Sequence, residues 1–425
     1  MKRLLFIAIA LSIALPCFGV MQRRDESDNS LLNVDFTGEG IYIKRAAPGT
    51  TATFTRASSA LEYWQQPARL AATNIPRFWP GQGILIEGAD TNVCIRNEVS
   101  SFVDAEWTEV NLMVGRTALP NLYNGGSIFI TYFGGDAYHY QTKLLTAVKY
   151  IVSALVYIDP AYGAISTQMK MAAGVAGAIA GLTTNYEHLG NDVYLCWAVF
   201  TATAANWDIG FKFTLPGFGY LAYHSCLTCH IAAPTLEGGD FPRSPIPNTT
   251  GASITRAADV LTIPGTGNIG TTEGTIDVEL TESSSEAQVA TANIHYYFGY
   301  YQSATNYIVL YIRGGSDTTA FAIRMGGAGA CDNDAAAGQV RGNNLKLRLV
   351  YRQATTLDET NYAILYRNAG AGWGQLCVSA VQPTGPLNGT GTIYVEAWID
   401  LVRHVNAVVR RITIWKDAKV GIPGG

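Results

Sequence analysis

The sequence has little charge and no long apolar run beyond its N-terminus. Charged residues make up 15% of the 425 residues, against roughly 25% in an average soluble domain. Lys and Arg number 29 and Asp and Glu number 33, which gives a net charge of −4. That balance argues against a surface built to neutralise a nucleic acid. No segment after residue 20 approaches the run of about 20 apolar residues that a membrane-spanning helix needs.

Familiar catalytic motifs are also missing. The sequence contains no Gly-x-Ser-x-Gly, no His-Glu-x-x-His and no phosphate-cradling glycine loop. Two carboxylate pairs on predicted strands, Glu396 with Asp400 and Asp277 with Glu279, have the residue type that glycosidases use. Pairs at this spacing are common on solvated strand faces. The sequence therefore predicts a protein that is not an enzyme.

What the sequence does contain is typical of β-structure. Apolar residues make up 48% of the chain, with 44 Gly and 23 Tyr, and β-branched or aromatic runs alternate with Gly, Asn and Asp turns. No helical periodicity of any length lies between these runs. We predict an all-β fold of two tandem antiparallel β-sandwiches after an irregular lead-in. The predicted divisions are a signal peptide or N-terminal hydrophobic anchor at 1–19, a stalk and irregular lead-in at 20–100, and sandwiches at 101–250 and 251–425.

The first nineteen residues resemble a targeting segment. Lys2 and Arg3 precede an apolar run from Leu4 to Leu15, and a small residue, Gly19, ends the segment. This is the pattern of a secretory signal peptide. An uncleaved hydrophobic N-terminal anchor is the alternative interpretation.

The cysteine count agrees with export. Six cysteines follow Cys17, at positions 94, 196, 226, 229, 331 and 377. An even number in an exported chain permits up to three disulfides. Free buried thiols are the alternative, because a chain of this length does not need disulfides to be stable.

A short motif occurs twice, 200 residues apart. Thr-Arg-Ala follows Phe54 and recurs after Ile254, so that Arg56 and Arg256 hold equivalent places. A guanidinium can fork onto backbone carbonyls or a carboxylate. We predict that each arginine fastens a loop to a sandwich, a structural role rather than ligand binding.

Five segments resemble the tail fibre and tail spike proteins of bacteriophages and prophages. They are 53–60, 72–78, 83–93, 236–249 and 255–259. The resemblance implies that residues 101–250 form a jelly roll similar to carbohydrate-binding modules. It implies that residues 251–425 form a lectin-like sandwich of the laminin-G or concanavalin-A type.

The function that this resemblance implies is adhesion. The chain would bind a host-surface glycan through its sandwiches, as a homo-oligomer, expected to be a trimer, attached to other virion proteins. It would lie on the virion surface or outside the cell. Two alternatives are a virion decoration or filament subunit whose sandwiches mediate self-assembly, and an exported glycan hydrolase.

Aromatic residues in loops and alternating runs are the candidate ligand-binding residues. Flat aromatic faces bind the apolar face of a sugar ring, while amides and carboxylates bind its hydroxyls. The candidates are Tyr138, His139, Tyr140, Tyr300, Tyr301 and Trp373.

Two further motifs could bind a metal or haem. Cys226-Leu-Thr-Cys229-His230 has the spacing of a c-type haem attachment site. The alternatives are a metal site that also uses His224, buried thiols within a strand, and a disulfide to another strand. Asp332 and Asp334 could supply oxygen ligands to Ca²⁺, or simply form a polar turn. We predict no cofactor other than this Ca²⁺.

Overall fold

The computed structural model describes most of the chain as antiparallel β-strand. The described residues are 30–38, 40–62, 68–79, 81–94, 106–117, 127–132, 136–158, 164–214, 229–239, 242–248, 250–282, 294–313, 318–324, 331–336, 344–353, 362–368, 372–378, 386–387, 389–395 and 407–419. Within them one helix occurs, α1 at Ile165–Gln168, and no helix is long and apolar enough to cross a membrane. The predicted all-β sandwich fold is confirmed. The targeting segment lies outside these residues.

Two sheets form what we call the base sandwich. The nine-stranded sheet contains β1 Ser30–Asp35, β2 Tyr42–Arg45, β6 Arg77–Trp79, β7 Gly83–Ile86, β22 Glu273–Glu282, β27 Asn344–Arg352, β28 Tyr362–Asn368, β29 Trp373–Val378 and β31 Ala407–Trp415. The seven-stranded sheet contains β3 Thr53–Thr55, β21 Val260–Pro264, β23 Ile294–Ser303, β24 Asn306–Arg313, β25 Thr318–Arg324, β26 Cys331–Ala336 and β30 Thr392–Val395.

Strand alternation builds the core of the base sandwich. In β27, Leu345, Leu347 and Leu349 face a shared core together with apolar residues from both sheets. Successive strand residues point to opposite faces, so Lys346 and Arg348 lie on the outer face. The alternation of this strand in the sequence predicted that arrangement.

A second pair of sheets forms the insert sandwich. Its six-stranded sheet contains β10 Leu112–Thr117, β11 Ser127–Tyr132, β13 Lys149–Ile158, β16 Asn185–Gly190, β17 Val193–Thr201 and β19 Cys229–Gly238. Its five-stranded sheet contains β9 Thr108–Val110, β12 Asp136–Leu145, β14 Met169–Val175, β15 Ala180–Gly181 and β18 Ala205–Thr214. The chain passes repeatedly from one sheet to the other, often through turns of three residues, and the two sheets share one apolar core.

The segment expected as an irregular lead-in contributes strands to the base sandwich. β1 pairs with β31, with Val34 opposite Ile412, and β3 pairs with β21. The described insert strands therefore lie, in sequence, between two sets of base strands. These early strands are three to six residues long, and β1, β3 and β7 pair with β31 and β21, which lie hundreds of residues away in the sequence. For that reason their pattern alone did not reveal them.

The two sandwiches meet where the chain crosses between them. β8 (Asp90–Asn92) and β20 (Ile254–Arg256) lie on either side of the insert in sequence, and they pair with each other. β4 (Ala60–Glu62) and β5 (Arg69–Ala71) form a second small ladder nearby in sequence. An apolar cluster joins the sandwiches: Leu61, Ala68, Leu85 and Val408 pack with Ile151, Leu155, Val193, Leu195, Trp197, Ala232 and Ala233.

A cluster of buried charges lies at this crossing. We call it the joint, and it consists of Arg56, Arg77, Glu87, Arg256 and Asp259, none of them more than 2% exposed. Burying an unpaired charge costs several kcal/mol. Such a cluster therefore persists only where each charge has partners.

Arg56 fastens a loop, as the repeated motif predicted. Its Nε donates to the carbonyl of Ser58 at 2.8 Å. Its Nη2 donates to the carbonyls of Ala72 at 2.9 Å and Ile75 at 3.0 Å. Its Nη1 pairs with Asp259 Oδ1 at 3.0 Å. The guanidinium thus ties the first copy of the motif to the end of the second.

Arg256 has the equivalent role on the other side. Its Nη2 donates to the carbonyl of Gly88 at 3.1 Å, and its Nη1 pairs with Glu87 Oε2. The structural role predicted for both arginines is confirmed.

Arg77 bridges the two acids of the joint. Its Nη2 lies 2.6 Å from Asp259 Oδ2 and 2.7 Å from Glu87 Oε2. Its Nη1 donates to Ser244 Oγ at 2.6 Å. Ser244 in turn donates to Glu87 from its backbone amide at 2.7 Å and from its hydroxyl at 2.6 Å. One guanidinium therefore connects residues that are up to 182 positions apart.

The electrostatics of the joint favour the charged forms of Glu87 and Arg77. Burial alone would raise the pKa of Glu87, but the charges of Arg256 and Arg77 and the hydrogen bonds from Ser244 hold that pKa well below its usual range. Burial alone would lower the pKa of Arg77, but Asp259 and Glu87 raise it.

We expect Arg77→Met to destabilise the protein strongly. Asp259 and Glu87 each keep one arginine, Arg56 and Arg256, but both acids and Ser244 lose the buried hydrogen bonds that Arg77 donates. We expect a loss of about 3–5 kcal/mol in the free energy of unfolding, because each hydrogen bond to a charged group is worth about 1.5–3 kcal/mol. Denaturant titration measures it. Lys44→Met is the control: it removes a pair with Asp35 in which Lys44 is 37% exposed, and we expect a loss of about 1 kcal/mol or less. Equal losses in the two variants would contradict the account.

Acid should weaken the edge of the nine-stranded sheet through Asp35. Burial would raise the pKa of Asp35, but hydrogen bonds from Lys44 and Thr37 lower it to about 2. An unfolded Asp has a pKa of about 3.9. The resulting stabilisation, about 1–2 kcal/mol, is present above that value and is lost as the pH falls through the folded value.

The check compares Asp35→Asn with the wild type at pH 7 and pH 2.5. The variant should lose about 1–2 kcal/mol less on acidification. Asp136→Asn is the control, because that carboxylate is 53% exposed in its pair with Lys212. A wild-type acid response in Asp35→Asn would contradict the assignment.

Candidate functional site

The outer face of the nine-stranded sheet carries a row of paired charges beside two indole rings. Ile276 and Val278 of β22 face the core, so Asp277 faces outwards. Asp277 lies opposite Arg348 of β27 on one side and Thr413 of β31 on the other. Neighbouring strands thus place the acid and the base side by side.

Arg348 is the centre of this arrangement. Its Nε donates to Asp277 Oδ1 at 2.7 Å and its Nη2 donates to Oδ2 at 2.6 Å, a bidentate pair. Its Cζ lies 5.5 Å from the ring centroid of Trp373 and 5.5 Å from that of Trp415. Trp373 is on β29 and Trp415 is on β31, two strands away on opposite sides. We call Arg348, Asp277, Trp373 and Trp415 the platform.

The carboxylate of the platform is poorly hydrated. Burial is the largest influence on Asp277 and raises its pKa, and the charge of Glu279 adds to the rise. The hydrogen bond and the charge of Arg348 oppose it but do not cancel it. Polar ligand groups that approach such a site meet hydrogen-bonding partners with little competing water.

Other charges on this face are paired too. Lys346 Nζ lies 3.1 Å from Glu279 Oε1, and Arg352 Nε lies 2.7 Å from Glu273 Oε2. Lys419 lies over the ring of Trp415, 4.2 Å from its centroid. The three acids of this face lie on β22 and the three bases opposite them lie on β27, so each ion pair spans the two strands.

A second aromatic surface lies on the five-stranded sheet of the insert. Tyr138 and Tyr140 of β12 are half-buried and share the outer face. Lys212 Nζ lies 5.6 Å from the ring centroid of Tyr138 and 2.8 Å from Asp136 Oδ2. Both tyrosines were predicted as ligand-binding residues, and both reach the surface.

Two predicted ligand-binding residues belong to the cores instead. His139 is fully buried, its ring stacks on Trp107 with centroids 4.5 Å apart, and burial lowers its pKa to about 3. Tyr300 is fully buried, and its hydroxyl accepts a hydrogen bond from the backbone amide of Gly391 at 3.1 Å. Strand alternation turned these rings inwards, so neither can contact a surface glycan.

The remaining candidates are accessible. Tyr301 is half-buried and lies opposite Tyr307, on the other face of the sheet from Tyr300. Trp373 is half-buried at β29, the last strand of its sheet. Of the six predicted ligand-binding residues, Trp373 is the one that lies beside both an ion pair and a second indole ring.

The haem-like motif does not form a haem site in its described part. Cys229 is a free thiol buried in the insert core, and burial raises its pKa. His230 is the next residue of β19, so its ring points to the opposite face, where its Nδ1 lies 3.3 Å from Ser127 Oγ. A haem would need both groups at one apolar pocket. Cys226 lies outside the described residues.

Cysteine and metal chemistry find no cluster in the part of the chain that the structure describes. Cys94, Cys196 and Cys229 are free and buried there. No group of three or more His, Cys, Asp or Glu among the described residues could hold a metal ion. Asp332 and Asp334 lie in β26, a strand rather than the expected turn, and their side chains lie outside the described part.

The carboxylate pairs have structural explanations where they are described. Asp277 and Glu279 each pair with a separate cation, Arg348 and Lys346. Glu396 and Asp400 lie outside the described residues.

Sequence reasoning missed Arg348 and Trp415 as site residues. The alternation of β27 marked Arg348 as outward-facing, and the same argument applies to β31. The missing information was strand order. β22 lies between the strands of Trp415 and Arg348, and β28 lies between the strands of Arg348 and Trp373. No local pattern in a sequence records which strands are neighbours.

Comparison with known proteins gives no family model and no curated relative that match the chain. The resemblance to tail fibre and tail spike proteins stays a prediction based on its motifs.

We expect Arg348→Met to raise the pKa of Asp277 further. The substitution removes the hydrogen bonds and the charge that oppose the effect of burial. Carboxyl-carbon NMR titration of Asp277 measures the shift. Lys346→Met is the control, because Lys346 pairs with Glu279, and it should shift Asp277 less. An unchanged or lowered pKa of Asp277 in Arg348→Met would contradict the assigned pairing.

Proposed function

We propose that the chain is a non-enzymatic adhesion protein, of the tail fibre or tail spike type, that binds a host-surface glycan. The platform is the proposed binding site. The observation that carries the proposal is the bidentate pair of Arg348 and Asp277 between the rings of Trp373 and Trp415.

The chemistry of the platform suits a sugar. A pyranose offers an apolar face to an aromatic ring and hydroxyls to paired donors and acceptors. Trp373 lies on the last strand of the sheet, next to the exposed Gln375, and supplies the ring. Arg348 and Asp277 are pre-oriented by each other, so the ligand need not order them. The pairing of charges favours a neutral glycan over a strongly acidic one.

Affinity for one such site is expected to be weak, and oligomerisation supplies the rest. Linked sites raise the effective concentration of the glycan, so that avidity exceeds the affinity of one site by about 10²–10⁴. The trimer, the partner virion proteins and the location on a virion surface or outside the cell are part of this proposal. So are the jelly-roll and lectin-like identities of the insert and base sandwiches.

The ion pairs of Asp277 and Glu279 support binding rather than hydrolysis. A retaining glycosidase needs two carboxyl groups about 5–5.5 Å apart, one acting as acid and the other as nucleophile. Here each carboxylate is occupied by its own cation.

A glycan array tests the proposal. The full-length wild type should bind at least one surface glycan, and Trp373→Ala should reduce that signal about tenfold or more through lost stacking. Tyr138→Ala is the matched variant on the other aromatic surface, and it should bind as the wild type does.

Three outcomes would contradict this site. Absence of binding to every glycan would remove the adhesion function and leave self-assembly. Loss of binding in Tyr138→Ala alone would move the site to the insert. Release of reducing ends from a bound polysaccharide would identify a hydrolase.

A further inference from the structure

Three turns at one end of the insert sandwich contain no charged side chain. They comprise residues 144–148, 175–184 and 199–206, and none of these positions holds Asp, Glu, Lys, Arg or His. The residues are mainly Ala, Val, Leu, Gly and Thr. The platform face and the surface around Tyr138 carry paired charges, so this end is chemically distinct from both.

Backbone contacts make the three turns one surface. The amide of Ala176 donates to the carbonyl of Asn206 at 3.0 Å, and the amide of Ala202 donates to the carbonyl of Val148 at 3.0 Å. Leu144 lies opposite Asn206 in the sheet. The turns are therefore adjacent.

The surface exposes large aliphatic side chains. Leu144 is 77% exposed, Val148 is 48% exposed and Val175 is 47% exposed. Five alanines are also exposed in the three turns, Ala147, Ala176, Ala178, Ala180 and Ala204. We call this surface the apolar tip: Leu144, Ala147, Val148, Val175, Ala176 and Ala178. Contiguous exposed apolar residues mark an interaction surface more often than scattered ones do.

The backbone of the tip is prepared for removal from water. Its turn amides donate within the protein: Val148 to the carbonyl of Thr146 at 2.9 Å, Ala178 to the carbonyl of Val175 at 2.8 Å, and Gly177 to Asp208 Oδ2 at 2.8 Å. A buried amide without a partner is costly. Because these amides are already paired, transfer of the tip to an apolar phase avoids that cost.

We propose that the apolar tip docks on a lipid bilayer, with its aliphatic side chains among the headgroups and the upper acyl chains. Protein interfaces are enriched in aromatic residues, Met and Arg, and the tip has none of these. Its composition suits lipid better than a second protein.

The residues below the tip fit the same orientation. Trp207, half-buried, donates from its Nε1 to the carbonyl of Thr203 at 3.1 Å, and the Tyr150 hydroxyl lies 3.0 Å from Thr146 Oγ1. Trp and Tyr are enriched at the depth of the membrane interface. Lys149 is exposed beside Val148, where its charge can remain in water.

The interaction should be weak and independent of salt. The three aliphatic side chains bury fewer carbons than a myristoyl chain, whose association constant is about 10⁴ M⁻¹. Multiple copies would strengthen it. Since the contact uses no charge, salt should not screen it.

Sedimentation with phosphatidylcholine vesicles at millimolar lipid tests the proposal. These vesicles carry no glycan, so the result is independent of the platform. Wild-type protein should sediment with them at low and high salt. Leu144→Asp and Val175→Asp should each lower the partition about tenfold or more. Val378→Asp is the matched control, because Val378 is 42% exposed on the base sandwich, and it should bind as the wild type does.

A second measurement avoids new charges. Brominated phosphatidylcholine should quench tryptophan fluorescence of the wild type, and Trp207→Phe should lose most of that quenching. This quenching measurement tests the proposal even if an aspartate variant fails to fold, a failure that circular dichroism would show.

Four results would overturn the proposal. The first is wild-type protein that stays in the supernatant at all lipid concentrations, and the second is folded Leu144→Asp and Val175→Asp that sediment as much as the wild type. Quenching could be the same in Trp207→Phe. Finally, gel filtration could show an oligomer that Leu144→Asp dissolves, without vesicle binding, which would make a second copy of the chain the partner.

Discussion

Two buried carboxylates shared among three buried arginines hold this molecule together at its crossing point. Glu87 and Asp259 form ion pairs with Arg56, Arg77 and Arg256, and all five side chains are almost completely buried. Each charge costs several kcal/mol to bury unless its partners are in place. The segments that supply them must therefore assemble together.

The sequence carried the parts of this arrangement that are local. The repeated Thr-Arg-Ala motif identified Arg56 and Arg256 as anchors, and alternation in β27 identified its outer face. The sequence could not show which residues these arginines contact, because Arg56 and its partner Asp259 are 203 positions apart. The predicted outward direction of the side chains was wrong at His139 and Tyr300. Both lie in runs of consecutive aromatic residues, and the sequence does not show which members of such a run point into the core.

These contacts change where function is sought. The segments that resemble tail fibre proteins supply Arg56, Arg77, Glu87, Arg256 and Asp259, so they serve the architecture and not a ligand. The proposed recognition site lies instead on the outer face of the nine-stranded sheet, where strand order brings Trp373, Arg348 and Trp415 together. Substitutions on the platform can change the proposed specificity without disturbing the joint, because no platform residue belongs to the joint.

The most direct measurement of the central claim is residue-resolved hydrogen exchange across a denaturant series. If the joint couples the sandwiches, core amides such as Phe211 of the insert and Ile412 of the base should exchange through one common unfolding event. Their opening free energies should agree within about 1 kcal/mol and fall with the same denaturant slope. Separate opening events for the two cores, each with its own slope, would contradict the claim that the buried charges make the two sandwiches a single cooperative unit.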